Sequence, residues 1–523
     1  MLSTRAFFFA SLFLLCQYVL FTQWYQCSPR APVTESMSFP SPIPLPVPDT
    51  PPLPAVMLPA DGDVSDPPFF PQRRHRIAVA TTYSPHMDVY MSFAWTLQRV
   101  MDRKPFGGTV EVYAPPFPYG FQTIVERLGL YRGVVQKPDT FLDAMNDNVG
   151  DGGIDIVVLG TCEADLKSAW GESLLSAWDA RDPGHKFSIV CLVHNGPENT
   201  PQGTLESFSR RNAIRILTIS SQCVLLPTPP ISHFSVISVA STHRRSFLAR
   251  ADNPDPVVRS AGYEFIPVDV YVPVLDIPLS QDKNNQNSGR FLSNAVIQGN
   301  FDRRNNQGIF TDLIESMAED PQAWGYLPLD PTNATAAYVA DPTLTELDEE
   351  PPFRLWLVGS GPQPEIPHEL ANIVQIHSRL AYSDFYALIS SMDIVVPALP
   401  QYSAYYDTKA SSTFALALEC NLPVIATTRA RLSYTHIDDD RVVIKRPAFM
   451  SEVDVLRALR TRSASHFFQK TATARDSPAG KAVEDMVRLG WARGAEDSVE
   501  VKRRVWEANE AVVERVLAGD AGV

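Results

Sequence analysis

The sequence predicts an α/β protein of two doubly wound parallel-sheet domains, preceded by a membrane anchor and a disordered proline-rich stem. Three observations predict this. Short apolar runs ending in glycine, proline or polar residues alternate with helix-like segments over residues 76–239 and again over residues 295–444, the pattern of parallel strands joined by crossover helices. Residues 6–24 form a stretch of nineteen without a charge. Fourteen prolines fall between Pro29 and Pro71.

Taken in chain order, residues 1–5 read as a short cytoplasmic tail and residues 6–25 as a transmembrane signal anchor. Nineteen helical residues span roughly 28 Å at about 1.5 Å per residue, enough for a thin bilayer. A cleaved signal peptide is the rival, but the apolar run is long for one and Gln23-Trp-Tyr-Gln-Cys27 is no small-residue cleavage site. Residues 26–74 are too poor in aromatic side chains to bury a core, and their prolines keep the chain extended. Next to an anchor this reads as a stem; a plain disordered tail is the alternative.

Residues 75–270 form the first domain, with strands expected at 76–81, 109–113, 154–160, 187–193, 215–220 and 234–239 and a helix at 88–100. Residues 263–273, with spaced prolines, carry the chain onward, and residues 281–290, rich in Asn and Gln, read as a loop. The second domain, residues 271–498, opens with a strand, a loop and a helix over 295–317. An insertion at about 321–352 holds an acidic run at 346–350 and the sequon Asn333-Ala-Thr335, a glycosylation acceptor. Residues 499–523 carry helical periodicity.

The net charge of −14, with one dense basic cluster at Arg73-Arg74-His75-Arg76, argues against nucleic-acid binding. Six cysteines, at 16, 27, 162, 191, 223 and 420, form no CxxC pair, and we read them as small buried apolar side chains, neither a metal site nor a disulfide framework.

The residues of the second domain carry the functional signal. They run Phe353-Arg-Leu-Trp-Leu-Val-Gly-Ser-Gly-Pro362, Lys409-Ala-Ser-Ser-Thr-Phe-Ala-Leu-Ala-Leu-Glu419 and Leu422-Pro-Val-Ile-Ala-Thr427. Their order and spacing resemble the C-terminal domain of GT-B fold glycosyltransferases, the retaining group-4/group-1-like branch in particular. The anchor, stem and body together resemble a fungal-type type II membrane glycosyltransferase. The resemblance implies two Rossmann-like domains facing a cleft, the first for the acceptor and the second for the nucleotide sugar, with the final helix crossing back to the first. It implies a hexosyltransferase (EC 2.4 class) taking a UDP- or GDP-linked sugar as substrate, with no cofactor and no metal. It also implies a glycan or glycoconjugate acceptor, and a single-pass type II protein of the Golgi or ER membrane with a luminal body.

Site residues follow the same resemblance. Glu419 stands at the second glutamate of the family's E-x7-E pattern, which accepts ribose hydroxyls; an exposed helix carboxylate is the plain alternative. Ser411 occupies the first glutamate's place, where the family contacts the donor sugar. Arg303 and Arg304 follow Gly299, where the family sets basic residues on the diphosphate, although Asn300 stands where the pattern has arginine; an exposed loop pair is the alternative. Lys409, Ser411, Ser412 and Thr413 open a helix whose N-terminus suits a diphosphate or is simply capped by them. Gly359 lets backbone approach the base or ribose. His194 ends a first-domain strand where related enzymes carry a catalytic histidine; satisfying loop backbone is the alternative.

Asp438-Asp-Asp440 is similar to a metal-binding DxD of a different glycosyltransferase fold, so we expect a turn there and no metal. Ser411 and Asn300 support a rival reading, a catalytically inactive scaffold or binding protein in the secretory pathway. A dinucleotide-dependent oxidoreductase is disfavoured, because Ala80-Thr-Thr-Tyr-Ser84 and no glycine fingerprint follows the first strand.

Overall fold

The computed structural model describes residues 75–104, 107–194, 202–221, 266–277, 291–333, 335–345 and 351–518. The expected anchor and stem, the strand at 234–239, the loop at 281–290 and the acidic run at 346–350 lie outside them. Among the described residues no helix is long and apolar enough to cross a membrane.

Two six-stranded parallel sheets form the body. The first comprises β1 (His75–Ala80), β2 (Gly108–Tyr113), β3 (Ile156–Leu159), β4 (Ser188–Val193), β5 (Ile214–Thr218) and β6 (Val268–Val270), in the order β2-β1-β3-β4-β5-β6. β7 (Asn294–Asn300) opens the second sheet. The insertion that follows folds into an antiparallel hairpin of β8 (Tyr326–Pro328) and β9 (Tyr338–Ala340). β10 (Arg354–Ser360), β11 (Val374–Ser378), β12 (Ile394–Val395), β13 (Val424–Ala426) and β14 (Val443–Lys445) complete the order β11-β10-β7-β12-β13-β14. β3, β5, β12 and β13 are buried at every position. Parallel strands covered by helices on both faces need such continuous apolar runs in place of alternation.

The strand order reverses between β1 and β3 in the first sheet and between β7 and β12 in the second. At such switch points the flanking crossovers lie on opposite faces and leave a crevice at the carboxyl ends of the strands. Of the helices α1 (Met87–Asp102), α2 (Asn306–Glu319), α3 (Tyr382–Ser390), α4 (Ser412–Glu419) and α5 (Ala495–Ala518), the first, third and fourth line that crevice.

α5 packs on α1 and along the chain that leaves β6. Asn509 holds Val272 from both sides, accepting from its N–H at 3.0 Å and donating to its carbonyl at 2.7 Å. Trp506 donates to the Val274 carbonyl at 2.9 Å, and Glu510 pairs with Arg99 of α1 and with Arg103, its C-cap, at 3.1 and 2.8 Å. The periodicity at 499–517 thus belongs to a helix that ties the end of the chain to the first sheet.

The cysteine expectation needs one correction: Cys162 and Cys191 form a disulfide. Cys162 follows β3 and Cys191 lies on its neighbour β4, so sheet pairing brings Cα atoms 29 residues apart in sequence to 5.1 Å. Cys420 is a buried free thiol.

Candidate functional site

A cavity of about 610 Å³ opens at the carboxyl ends of both sheets. That is the size range of small-ligand sites. Its second-sheet wall begins at the end of β7, where Gly299 adopts φ +132°. A Cβ at Gly299 would strike the guanidinium of Arg304, with Cζ and Nε at 2.9 Å. The absent side chain is what lets Arg304 lie back across the strand end. A Cβ at Gly359, on neighbouring β10, would collide with the Gly299 backbone, whose carbonyl carbon would be 2.8 Å away.

Arg304 is buried at the cavity wall. Its Nη2 donates to the Thr413 hydroxyl at 2.7 Å and, at 3.4 Å, to that of Ser411. Nε and Nη1 are shielded from solvent and meet no hydrogen-bond partner among the described residues. Burial lowers its pKa from the ordinary value. A buried guanidinium with unanswered donors is costly, and an anion with two oxygens in one plane is the group that answers them.

Ser411 caps α4, its hydroxyl accepting from the Thr413 N–H at 3.4 Å. Its own N–H donates to the Tyr434 hydroxyl at 3.0 Å. Ser411 and Ser412 line the cavity, while Thr413 stands behind Arg304 and donates to Gln298. Capping and cavity lining therefore coexist at the start of α4. Lys409 precedes this turn and is not among the cavity-lining residues. Arg303 is separated from Arg304: its side chain is 62% exposed and faces Asp302 at 3.9 Å, outside the cavity lining. A 3₁₀ turn over Phe301–Arg303 turns the two arginines apart.

Glu419 ends α4 and is buried against the cavity, not exposed on a helix face. Its Oε1 accepts from the Leu275 N–H at 2.8 Å. Desolvation pushes its carboxyl up to about 8, against the pull of that N–H; Asp88 adds to the rise and Lys502 opposes it.

The first-sheet wall is made of rings. His194, at the end of β4, lines the cavity; its Nε2 lies 2.9 Å from the Gly160 carbonyl and its N–H donates to Glu163 at 2.7 Å. Burial brings its pKa down to about 4, so the imidazole is neutral near pH 7. It therefore does satisfy loop backbone, and it also faces the cavity. Its ring stacks on His86 with centroids 4.0 Å apart.

Nothing in the sequence singled out His86, which sits before α1 at φ +69° with Nδ1 buried and without a hydrogen-bond partner among the described residues. Asp165 fixes the preceding loop by accepting from Thr81, Thr82 and Thr161. His436, Asp88, Tyr119 and Arg379 also line the cavity and were likewise missed. Both ring nitrogens of His436 are buried without a hydrogen-bond partner among the described residues, and burial brings its pKa to about 4.

Away from the cavity, Asn333 is exposed in a turn where its side-chain oxygen accepts from the Thr335 N–H at 3.0 Å. Asp438 and Asp440 pair with Arg431, and Asp439 with Arg441 and Arg504.

The sequence matches no family model and no curated protein. Among solved structures the chain is similar to an alpha-glucosyltransferase in complex with UDP-glucose and DNA containing an abasic site. That likeness has 12% identity, 83% of this chain, 99% of that chain and a TM-score of 0.40. It is also similar to the lipopolysaccharide outer core galactosyltransferase WaaB, at 9% identity over 82% of this chain and 98% of that chain, with a TM-score of 0.37. A third is the glycotransferase of kitacinnamycin, at 12% identity over 85% of this chain and all of that one, with a TM-score of 0.35. At scores this low the likeness supports no conclusion about activity.

Proposed function

We propose that the protein is a GT-B glycosyltransferase that moves a hexose from a UDP- or GDP-linked donor to a hydroxyl of a glycan or glycoconjugate. The observation that carries this reading is Arg304: a buried cation at the switch point of the second sheet, with Nε and Nη1 unanswered. A diphosphate oxygen pair satisfies both donors, and the free N–H groups at the start of α4 add to the same field. Glu419, eight positions after Ser411 at the far end of α4, takes the ribose hydroxyls.

As the bond from the anomeric carbon to the diphosphate breaks, negative charge grows on the leaving oxygen. Arg304 lies where that charge develops, in a site partly closed to water. The acceptor hydroxyl enters from the first-sheet wall, where burial keeps the cavity-lining imidazoles of His86 and His194 neutral.

The body is read as luminal in the ER or Golgi, held by the anchor at residues 6–25 through the stem at 26–74. The disulfide Cys162–Cys191 suits an oxidising compartment, and the exposed Asn333 suits glycosylation.

One observation favours the inactive-scaffold reading: Ser411, in the place of a donor-sugar carboxylate, is engaged by Arg304 and Thr413. The full-length protein incubated with UDP- and GDP-hexoses separates the two. Release of UDP or GDP that rises with an added glycan and is lost in Arg304→Ala is the outcome for a transferase. Nucleotide binding without release is the outcome for the scaffold.

A further inference from the structure

The short turn Cys162–Asp165, which follows β3, takes no part in the proposed chemistry, yet it reaches both histidines of the first-sheet wall. Glu163 accepts the His194 N–H at 2.7 Å, and the Gly160 carbonyl, two residues before the turn, lies 2.9 Å from His194 Nε2. A carbonyl only accepts, so this contact fixes the tautomer: Nε2 carries the ring proton and Nδ1 is the acceptor. A Cβ at Gly160 would meet Thr81 and Tyr90 at 3.1 Å, so the bare glycine lets the exits of β1 and β3 lie together.

Asp165 secures the other histidine. Its Oδ1 accepts from the Thr81 hydroxyl at 3.1 Å and from the N–H and hydroxyl of Thr82 at 2.7 and 2.9 Å. Its Oδ2 accepts from the Thr161 N–H at 2.9 Å. Four residues after Thr82 the chain reaches His86, which starts α1 without a side-chain cap. The His86 ring is instead oriented by its loop, by the stack on His194, and by Tyr83, whose ring centroid is 5.4 Å away.

Cys162 opens the turn and is bonded to Cys191 on β4, three residues before His194. Both cysteines, Glu163 and Asp165 are buried. A buried carboxylate without donors is costly. Either both loops stay on the turn, or the turn moves out to water; the disulfide closes the second route.

We propose that Glu163 and Asp165 are positioning residues for the stacked pair His86–His194, and that the Cys162–Cys191 disulfide is the clasp that keeps their turn against β4. The part this pair plays in a reaction rests on the glycosyl-transfer reading; its positioning does not.

Brief labelling of the full chain with diethyl pyrocarbonate, read residue by residue by peptide mass mapping, tests the positioning, because the reagent acylates neutral imidazoles according to their access. Glu163→Ala, Asp165→Asn and the double variant Cys162→Ala/Cys191→Ala should each raise labelling of His86 and His194 about fivefold or more. His377 and His436, in the second domain, should keep their wild-type rates. Glu163→Gln, which keeps an acceptor oxygen, should label like wild type. Unchanged labelling of both histidines in the three variants overturns the proposal. So does a rise at His377 and His436 in step, which marks general loosening, or a Glu163→Gln that labels like Glu163→Ala. Should Asp165→Asn not fold, Glu163→Ala against Glu163→Gln decides.

In the folded variants, calorimetric UDP or GDP affinity should stay within about twofold, while nucleotide release from the UDP- or GDP-hexose falls about tenfold or more. Release at the wild-type rate from variants with opened histidines overturns the pair's part in transfer. A wild-type chain that neither binds nor releases nucleotide overturns the glycosyl-transfer reading, and the labelling alone then judges the positioning.

Discussion

The wall of the cleft contributed by the second sheet holds two cations and a carboxyl: Arg304 at one end of α4, Glu419 at the other and Arg379 at the mouth. The wall contributed by the first sheet holds the stacked His86 and His194 rings and Tyr119, with Asp88 as its carboxyl. Both walls rise from parallel sheets at a reversal of strand order, yet only one is equipped to neutralise a polyanion. The contrast shows how similar scaffolds divide a task. On the proposed reading, fixed charge sits on the sheet that would grip the donor, and neutral polar rings face the side from which a hydroxyl would arrive.

Removing the charge from the second wall should have the largest effect. Arg304→Ala loses two charge-assisted hydrogen bonds, which together contribute about 3 kcal/mol or more, so UDP or GDP binding should fall about a hundredfold. A calorimetric constant within threefold of wild type would break the comparison. Arg303→Ala, on the exposed neighbour, should change nothing measurable.

Glu419 sharpens the comparison through pH. Its carboxyl is held up to about 8 by burial, so in the empty protein it is mostly neutral at pH 6 and ionised above 8. A carboxylate accepts two ribose hydroxyls better than a neutral acid, so nucleotide affinity should rise as pH goes from 6 to 8 and then level off. Glu419→Gln should bind about tenfold more weakly at pH 8 and lose the slope. The stability effect has the opposite sign. The folded state keeps a proton that the unfolded state gives up near 4.5, so this contribution is full at low pH and is lost as pH rises towards 8. Urea unfolding of wild type against Glu419→Gln between pH 5 and 8 measures it.

The smallest effect on binding, and a distinct one on folding, belongs to the join between the walls. Asn509→Ala removes both hydrogen bonds to buried Val272 and should cost about 2 kcal/mol. Denaturant unfolding should register that loss while the nucleotide affinity stays within about twofold, a change worth only a few tenths of a kcal/mol.

The second wall was the more legible one in sequence, for a physical reason. Gly299, Gly359, Ser411 and Glu419 lie at strand ends or on one helix, where local spacing sets spatial position. Periodicity likewise revealed the final helix. Arg303 and Arg304 looked equivalent because one 3₁₀ turn decides which of them faces inward. His86, Tyr119 and Arg379 take their positions from left-handed backbone, which no residue pattern announces. The disulfide was hidden for the same reason: neighbouring strands, not neighbouring residues, bring Cys162 to Cys191.

The most direct measurement is a crystal structure of the protein with UDP or GDP, whichever binds. The account predicts diphosphate oxygens about 3 Å from Nε and Nη1 of Arg304, with the ribose against Glu419. A nucleotide bound elsewhere, or one bound here with those two nitrogens still unanswered, would contradict it.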